Sequence, residues 1–301
     1  MIRFTRISAL AAALLLPTLT PAQLFKLTRE QLVELTAQNP FERFPDGRPK
    51  IPDSLMERAR GMSAEEVWAI LGRGGGGGGT GAAGYRNQWD DGWQILHPDK
   101  KMIGRAFTVQ FMPARPDLDA VVNAKGRISN QTAIDMVQPG DVFVVDLFGK
   151  GSDGTIVGDN LFYYLMTAAK ANGLVVDGAI RDLEGISEMA MPAYFRKTHP
   201  SALTNVTITG INVPVRIGSV TVMPGDMVFG DKEGLYFVPP QFVQQIVDNA
   251  DVVHIHDEWT RKKFAEGKYK SIEIYSSPKD PALQKEYKEY LDKRLKEIRK
   301  Q

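Results

Sequence analysis

The chain has 301 residues, 43% hydrophobic and 24% charged, which are ordinary globular proportions for one large domain or two ordinary ones. Its 37 basic and 36 acidic residues leave a formal charge of +1, so no basic field marks it as a nucleic-acid binder. It has no cysteine, which excludes disulfides and a lipoprotein anchor.

Residues 1–22 read as a Sec-type signal peptide. Arg3 and Arg6 form the positive start, residues 7–16 (ISALAAALLL) the apolar core, and Thr20-Pro21-Ala22 the small-residue cleavage site before Gln23. The apolar run is too short to span a bilayer and is interrupted by Pro17. Removing two arginines leaves 35 basic residues against 36 acidic, a net of −1. An exported, periplasmic protein with no membrane contact after cleavage is expected.

Residues 23–50 form an N-terminal extension punctuated by Pro40, Pro45, Gly47 and Pro49; the capping-box pattern after Thr28 predicts one short helix in it. Residues 53–71 predict one or two helices, with Ser63 and Glu66 as a second capping box before Val67, Ile70 and Leu71. Residues 73–84 hold six consecutive glycines, Gly74 to Gly79. A phosphate-binding loop would need a lysine at its end and none is there, so the run reads as a loop insertion. Trp89, Trp93 and His97 follow, the indoles as packing anchors.

Strands are predicted over 104–112 and 141–147, with a helix over 130–137 between them. Residues 148–158 make a glycine-rich approach to the next helix. That helix starts at Gly158-Asp159-Asn160, with Asp159 as a plain N-cap or a ligand contact. Its apolar residues are Leu161, Tyr164, Leu165, Ala168 and Ala169, and Gly173 is placed to end it. Leu174-Val175-Val176 reads as a strand buried on both faces, and Asp177-Gly178-Ala179-Ile180-Arg181-Asp182 as a polar loop beyond its carboxyl end. Further strands are expected at 193–195, 206–208, 213–215, 227–229 and 235–238. A helix over 241–258 has Phe242, Ile246 and Val253 inward, and residues 276–301 hold a C-terminal helix with one stripe of Leu283, Tyr287, Leu291 and Leu295.

The helix start GDNL, followed by GLVVDGAIRD, resembles the RraA-like family, whose catalytic branch comprises class II 4-hydroxy-4-methyl-2-oxoglutarate aldolases that also decarboxylate oxaloacetate. The signature DG-x-x-RD is matched at Asp177, Gly178, Arg181 and Asp182. The stretches GRAFTV (104–109), GDVFVVD (140–146), and PGDMVFGD with GLYFVP (224–239) fit the family's other strands, so the likeness covers roughly 51–267. It implies an α/β fold, an RraA-like α/β/β/α sandwich with a swivelling-domain-like β core. Residues 51–275 would be the catalytic domain, assembled as a homotrimer or hexamer.

The resemblance also implies roles. Asp182 would ligate a divalent metal, Mg2+ with Mn2+ able to replace it, as suits a lone carboxylate plus waters. Arg181 would bind a small 2-keto acid. The backbone N–H groups of Gly158, Asp159, Asn160 and Leu161 would hold its carboxylate. The implied reaction is metal-assisted carbon–carbon cleavage of a 4-hydroxy-2-keto acid or β-keto acid to pyruvate, with no lysine Schiff base. An acid from a neighbouring subunit would take the hydroxyl proton, with Glu258 preferred over Asp257. His254 and His256, two apart on a helix, point away from each other and cannot chelate one ion. The other branch of the family inhibits RNase E by protein contact, so an exported, non-catalytic binding or regulatory protein is the alternative.

Overall fold

The computed structural model describes residues 26–72, 82, 84, 85, 87–124 and 126–298. The segment read as a signal peptide and the glycine run at 74–79 lie outside the described residues. No helix among those described is long and apolar enough to cross a membrane.

Three short helices open the chain: α1 (Arg29–Leu35), α2 (Asp53–Ala59) and α3 (Ala64–Leu71). The capping boxes read at Thr28 and Ser63 are both present. The first strands are β1 (Trp89–Asp90), β2 (Gln94–Leu96) and β3 (Met102–Pro113), followed by α4 (Pro116–Val122) and α5 (Asn130–Ile134). Then come β4 (Asp141–Thr155), α6 (Asp159–Thr167), β5 (Gly173–Ile180), α7 (Leu183–Ser187), β6 (Ala193–Thr198) and β7 (Val206–Ile211). The two-residue turn of hairpin β8 (Val215–Ile217) and β9 (Val220–Val222) precedes β10 (Met227–Gly230), β11 (Leu235–Val238), α8 (Pro240–Ala265), α9 (Ser271–Ile274) and α10 (Pro281–Ile298).

The main sheet runs β1-β11-β10-β3-β4-β5-β6-β2, with β7 paired to β3. Its centre, β3-β4-β5-β6, is parallel, so these carboxyl ends share one edge. The result is a mixed α/β fold with a curled sheet. Alternation along β3 sorts the two faces. Ile103, Phe107, Val109 and Phe111 join clusters covered by helices, whereas Met102 and Ala106 join the cluster closed by Val215, Ile217, Val220 and Val222 of the hairpin.

Several expectations change in three dimensions. The buried face of α6 is Phe162 and Leu165, with Ala169 buried just past its end, while Tyr164 and Ala168 stay exposed. Gly173 does not end that helix: Lys170 takes the left-handed conformation (φ 54°). Gly173 instead opens β5, where an added Cβ would lie 2.7 Å from the Met102 methyl. The lead-in is docked firmly. Arg48 is fully buried and donates to both oxygens of Asp141, at 2.7 and 2.9 Å, beneath β3 and β4. Helix α8 outruns its expected end, and its second half packs Trp259 with Ile274 and Leu283 in a small separate cluster, alongside α10. Trp89 and Trp93 do pack, on Tyr236 and Tyr194.

Candidate functional site

The site is built at the carboxyl end of β5. That strand does not stop at Val176; all eight residues from Gly173 to Ile180 are buried. It continues because the glycine-rich stretch of β4 stays paired beside it, Lys150 to Gly178 and Thr155 to Ala179, across register shifts. Gly178 is obligatory there, since a Cβ would press to 2.8 Å against Leu147. The expected polar loop therefore reduces to its last two residues, Arg181 and Asp182.

Asp177 faces the sheet interior and is 4% exposed. Arg196 Nε donates to its Oδ1 at 2.8 Å, and the Gly218 N–H donates to its Oδ2 at 3.3 Å. Arg196 also donates to Asp90 Oδ2 at 2.5 Å and to the Asp91 carbonyl at 2.7 Å, and it lies 3.5 Å over the Trp93 ring. This clamp joins β5, β6, the β1–β2 loop and the hairpin. No local pattern foretold it, because its partners are distant in sequence.

Arg181 and Asp182 have side chains 36% and 43% exposed, with Arg181 Nε 3.4 Å from Asp182 Oδ2. Asp182 is left-handed (φ 59°, ψ 40°) and caps α7 without a side-chain hydrogen bond. This backbone turn directs its carboxylate back to the start of α6, whose Asp159 N–H donates to Oδ2 at 3.4 Å. Gly158, not Asp159, is the N-cap of α6. An added Cβ at Gly158 would collide with Asp182 Oδ2 and lie 2.8 Å from Arg181 Nε. Glycine is thus required for helix start and signature pair to meet.

The predicted anion cradle is partly filled by the chain's own acids. The Asp159 N–H faces Asp182, and the Asn160 N–H donates to Asp159 Oδ1 at 2.7 Å. Among the described residues the Gly158 and Leu161 N–H groups have no partner. The side chains of Asp159 and Asn160 are exposed, and Leu161 is half-buried. A carboxylate already resting on this helix end agrees with the positive pole expected there.

Glu258 does not join this cluster within the chain. It accepts from Lys262 Nζ at 2.8 Å, the Tyr290 hydroxyl at 2.6 Å and Arg294 Nε at 3.3 Å, all on α8 and α10. Hydrogen bonds from Lys262 and Tyr290 hold its carboxyl down to about 2. His254 and His256 serve separate contacts, His254 with Glu66 at 2.9 Å and His256 edge-on to Tyr287.

The residues fit a hard divalent cation of the magnesium type. Asp182 Oδ2 faces Arg181 and Asp159, while Oδ1 has no partner among the described residues. One exposed carboxylate oxygen leaves room for the waters that Mg2+ retains. Among the described residues no three His, Asp or Glu side chains gather into an all-protein cage.

The RraA-like family model (Aldolase/RraA) matches residues 79–236, which include Gly158, Arg181 and Asp182. A protein of Halalkalibacterium halodurans, provisionally named 4-hydroxy-4-methyl-2-oxoglutarate aldolase, is 33% identical over 163 residues, covering 54% of this chain and 71% of that protein. One of Azotobacter vinelandii with the same provisional name is 36% identical over 112 residues, covering 35% of this chain and 64% of its own. The crystal structure of Streptomyces coelicolor RraAS2, described as an unusual member of the RNase ES inhibitor RraA protein family, superposes with a TM-score of 0.60 at 30% identity, covering 71% of this chain and all of that one. With residues 79–236, more than half of its 301, matched by the model and its fold shared with RraAS2, the chain belongs to the RraA-like family.

Proposed function

We propose that the protein is a divalent-metal-dependent carbon–carbon lyase of the aldolase type, cleaving a 4-hydroxy-2-keto acid or a β-keto acid to give pyruvate. The observation that carries this reading is the meeting of Arg181, Asp182 and the N-terminus of α6 at one sheet edge. The provisional aldolase names of its relatives support it.

Asp182 would hold Mg2+ or Mn2+, which when bound supplies Lewis acidity toward a keto oxygen and the charge that develops on cleavage. Arg181 binds the substrate's anionic oxygens and stays charged throughout, a fixed positive group beside the forming oxyanion. The Gly158 and Leu161 N–H groups, at the positive end of α6, orient the substrate carboxylate. Asp159 and Asn160 shape the mouth of that cradle. For Glu258 of a neighbouring subunit to take the hydroxyl proton, assembly must first free it from Lys262 and Tyr290, because a carboxyl held near 2 is a weak proton acceptor. Glu258→Gln tests this, and an unchanged rate removes Glu258 from the mechanism. The working form in this reading is an exported homotrimer or hexamer. The exposure of Arg181 and Asp182 on the single chain suits a site completed by a neighbour.

The test is pyruvate release from oxaloacetate and from 4-hydroxy-4-methyl-2-oxoglutarate, with Mg2+, with EDTA and with Asp182→Ala. Metal-dependent release that vanishes in the variant is expected. No release from a well-folded wild type would move the conclusion to a second reading, a non-catalytic regulatory protein, which the likeness to RraAS2 favours.

A further inference from the structure

Far from β5, the N-terminal lead-in and the edge of the sheet enclose a cavity of about 410 Å3. Residues 34–39 form one wall, the start of α8 another, and Asp226 lies between them at the foot of β10. The sheet order places β10 three strands from β5, so this cavity is separate from the Arg181–Asp182 site.

Asp226 is 2% exposed. The single hydrogen-bond partner of its carboxylate among the described residues is the Met223 N–H, at 2.8 Å. No Lys, Arg or His is among the described residues that line the cavity, and Glu34 adds a second acid. The contrast with Asp141 is direct: that carboxylate is as deeply buried, but a guanidinium grips both its oxygens. Buried charges need such a partner, because the lost hydration is not otherwise replaced. Burial accordingly pushes the Asp226 carboxyl up to about 7. The rest of the lining is uncharged and mixed: Leu35, Ala37, Met223, Pro239 and Pro240 are apolar, and the polar groups include Gln38, Tyr85, Gln88 and Gln241. Gln241 Nε2 donates to Gln38 Oε1 at 3.1 Å and to the Tyr85 hydroxyl at 3.2 Å, and Gln88 stands nearby.

We propose that this cavity binds a small organic cation, a primary ammonium carried on a short apolar chain, with the ammonium against Asp226. A three-donor head suits one buried carboxylate that no cation of the chain neutralises, with amide and hydroxyl oxygens elsewhere on the lining. The volume far exceeds what an ammonium alone fills, so a body of several heavy atoms belongs with it. A bare metal ion is disfavoured, since no three acidic or histidine side chains converge among the described residues. Residues 34–39 and 239–241 lie outside the family-matched stretch of 79–236. The cavity thus joins Asp226, inside the matched stretch, to walls that lie outside it.

Calorimetric titration of the full chain at pH 8.5 with 1,4-diaminobutane tests the proposal, with 1,4-butanediol and matched NaCl as controls. Saturable heat is expected from the diamine alone. Asp226→Asn, whose amide oxygen can still accept from Met223, should weaken binding about tenfold or more, the scale of one charged hydrogen bond. Gln38→Trp, which adds bulk at a lining position on the opposite wall from α8, should weaken binding and decides the matter should the first variant not fold. Absence of saturable heat in the wild type, equal binding of the diol, or undiminished binding in a folded Asp226→Asn or Gln38→Trp protein would overturn it.

Discussion

Gly158→Ala probes whether the signature pair must sit where the structure puts it. Gly158 has φ −111° and ψ −168°, a backbone any residue adopts, so alanine meets no conformational barrier. As an N-cap, alanine is less favourable than glycine by a few tenths to about 1 kcal/mol, and the fold should survive. The collision is local. Arg181 Nε, 2.8 Å from the new methyl, must retreat by roughly 0.6 Å to reach an ordinary contact near 3.4 Å, and the Asp182 carboxylate must move further. Both are flexible side-chain ends, so they yield rather than the helix. A displacement approaching 1 Å in a group that positions substrate costs on the order of 100-fold in rate. The assay is metal-dependent pyruvate release, paired with a thermal melt. A loss of about 100-fold with Tm nearly unchanged is expected. A rate within twofold of wild type would refute the argument, since a group that can move freely was not positioning the chemistry.

Arg48→Met should destabilise the fold by roughly 3–5 kcal/mol by stranding the buried Asp141 carboxylate; urea midpoints should show much of it restored in Arg48→Met with Asp141→Asn. The Glu66–His254 pair, which ties α3 to α8, predicts a pH window. The hydrogen bond that His254 donates to Glu66 raises the His254 pKa, so that stabilisation is complete below about 6.5, the unfolded value, and is lost as pH rises through the higher folded one. Burial would raise Glu66, but bonds from His254 and Ser63 outweigh it and hold it at about 2, so its contribution is complete above about 4.5 and lost as pH falls toward 2. The stability difference between wild type and His254→Gln should therefore be larger at pH 6 than at pH 9 in urea titrations. Amino-terminal sequencing of the exported protein should begin at Gln23; an intact start at Met1 in the cytoplasmic fraction would contradict the signal peptide. Light scattering on the purified protein should give a trimer or hexamer, and a monomer that still releases pyruvate would discard the neighbour-completed site.

What could be read from the chain was what local chemistry encodes. The capping boxes at Thr28 and Ser63 and the apolar run at Leu174-Val175-Val176 each carry their meaning in a few neighbouring residues. The readings that shifted depend on partners far along the chain. Strand β5 runs on to Ile180 because β4 follows it there, and alternation cannot foretell a neighbour's length. Asp177 sits in the signature yet serves the Arg196 clamp. The burial of Arg48 beneath β3 and β4 joins residues 93 positions apart. The inward face of α6 is Phe162 and Leu165 because α6 packs on a curved sheet, where the apolar stripe alone leaves the helix's rotation open.

The left-handed backbone of Asp182 sets fold and chemistry against each other. An L-residue in that region is worse off than glycine by roughly 1 kcal/mol, with aspartate among the least penalised. Were durability all that selection weighed, residue 182 would drift toward glycine or asparagine, both at ease with that turn. Each should leave the protein as sturdy as before and, in the proposed lyase reading, silence it. A library screened only for thermal resistance should therefore enrich such variants at 182, and a screen for turnover should purge them.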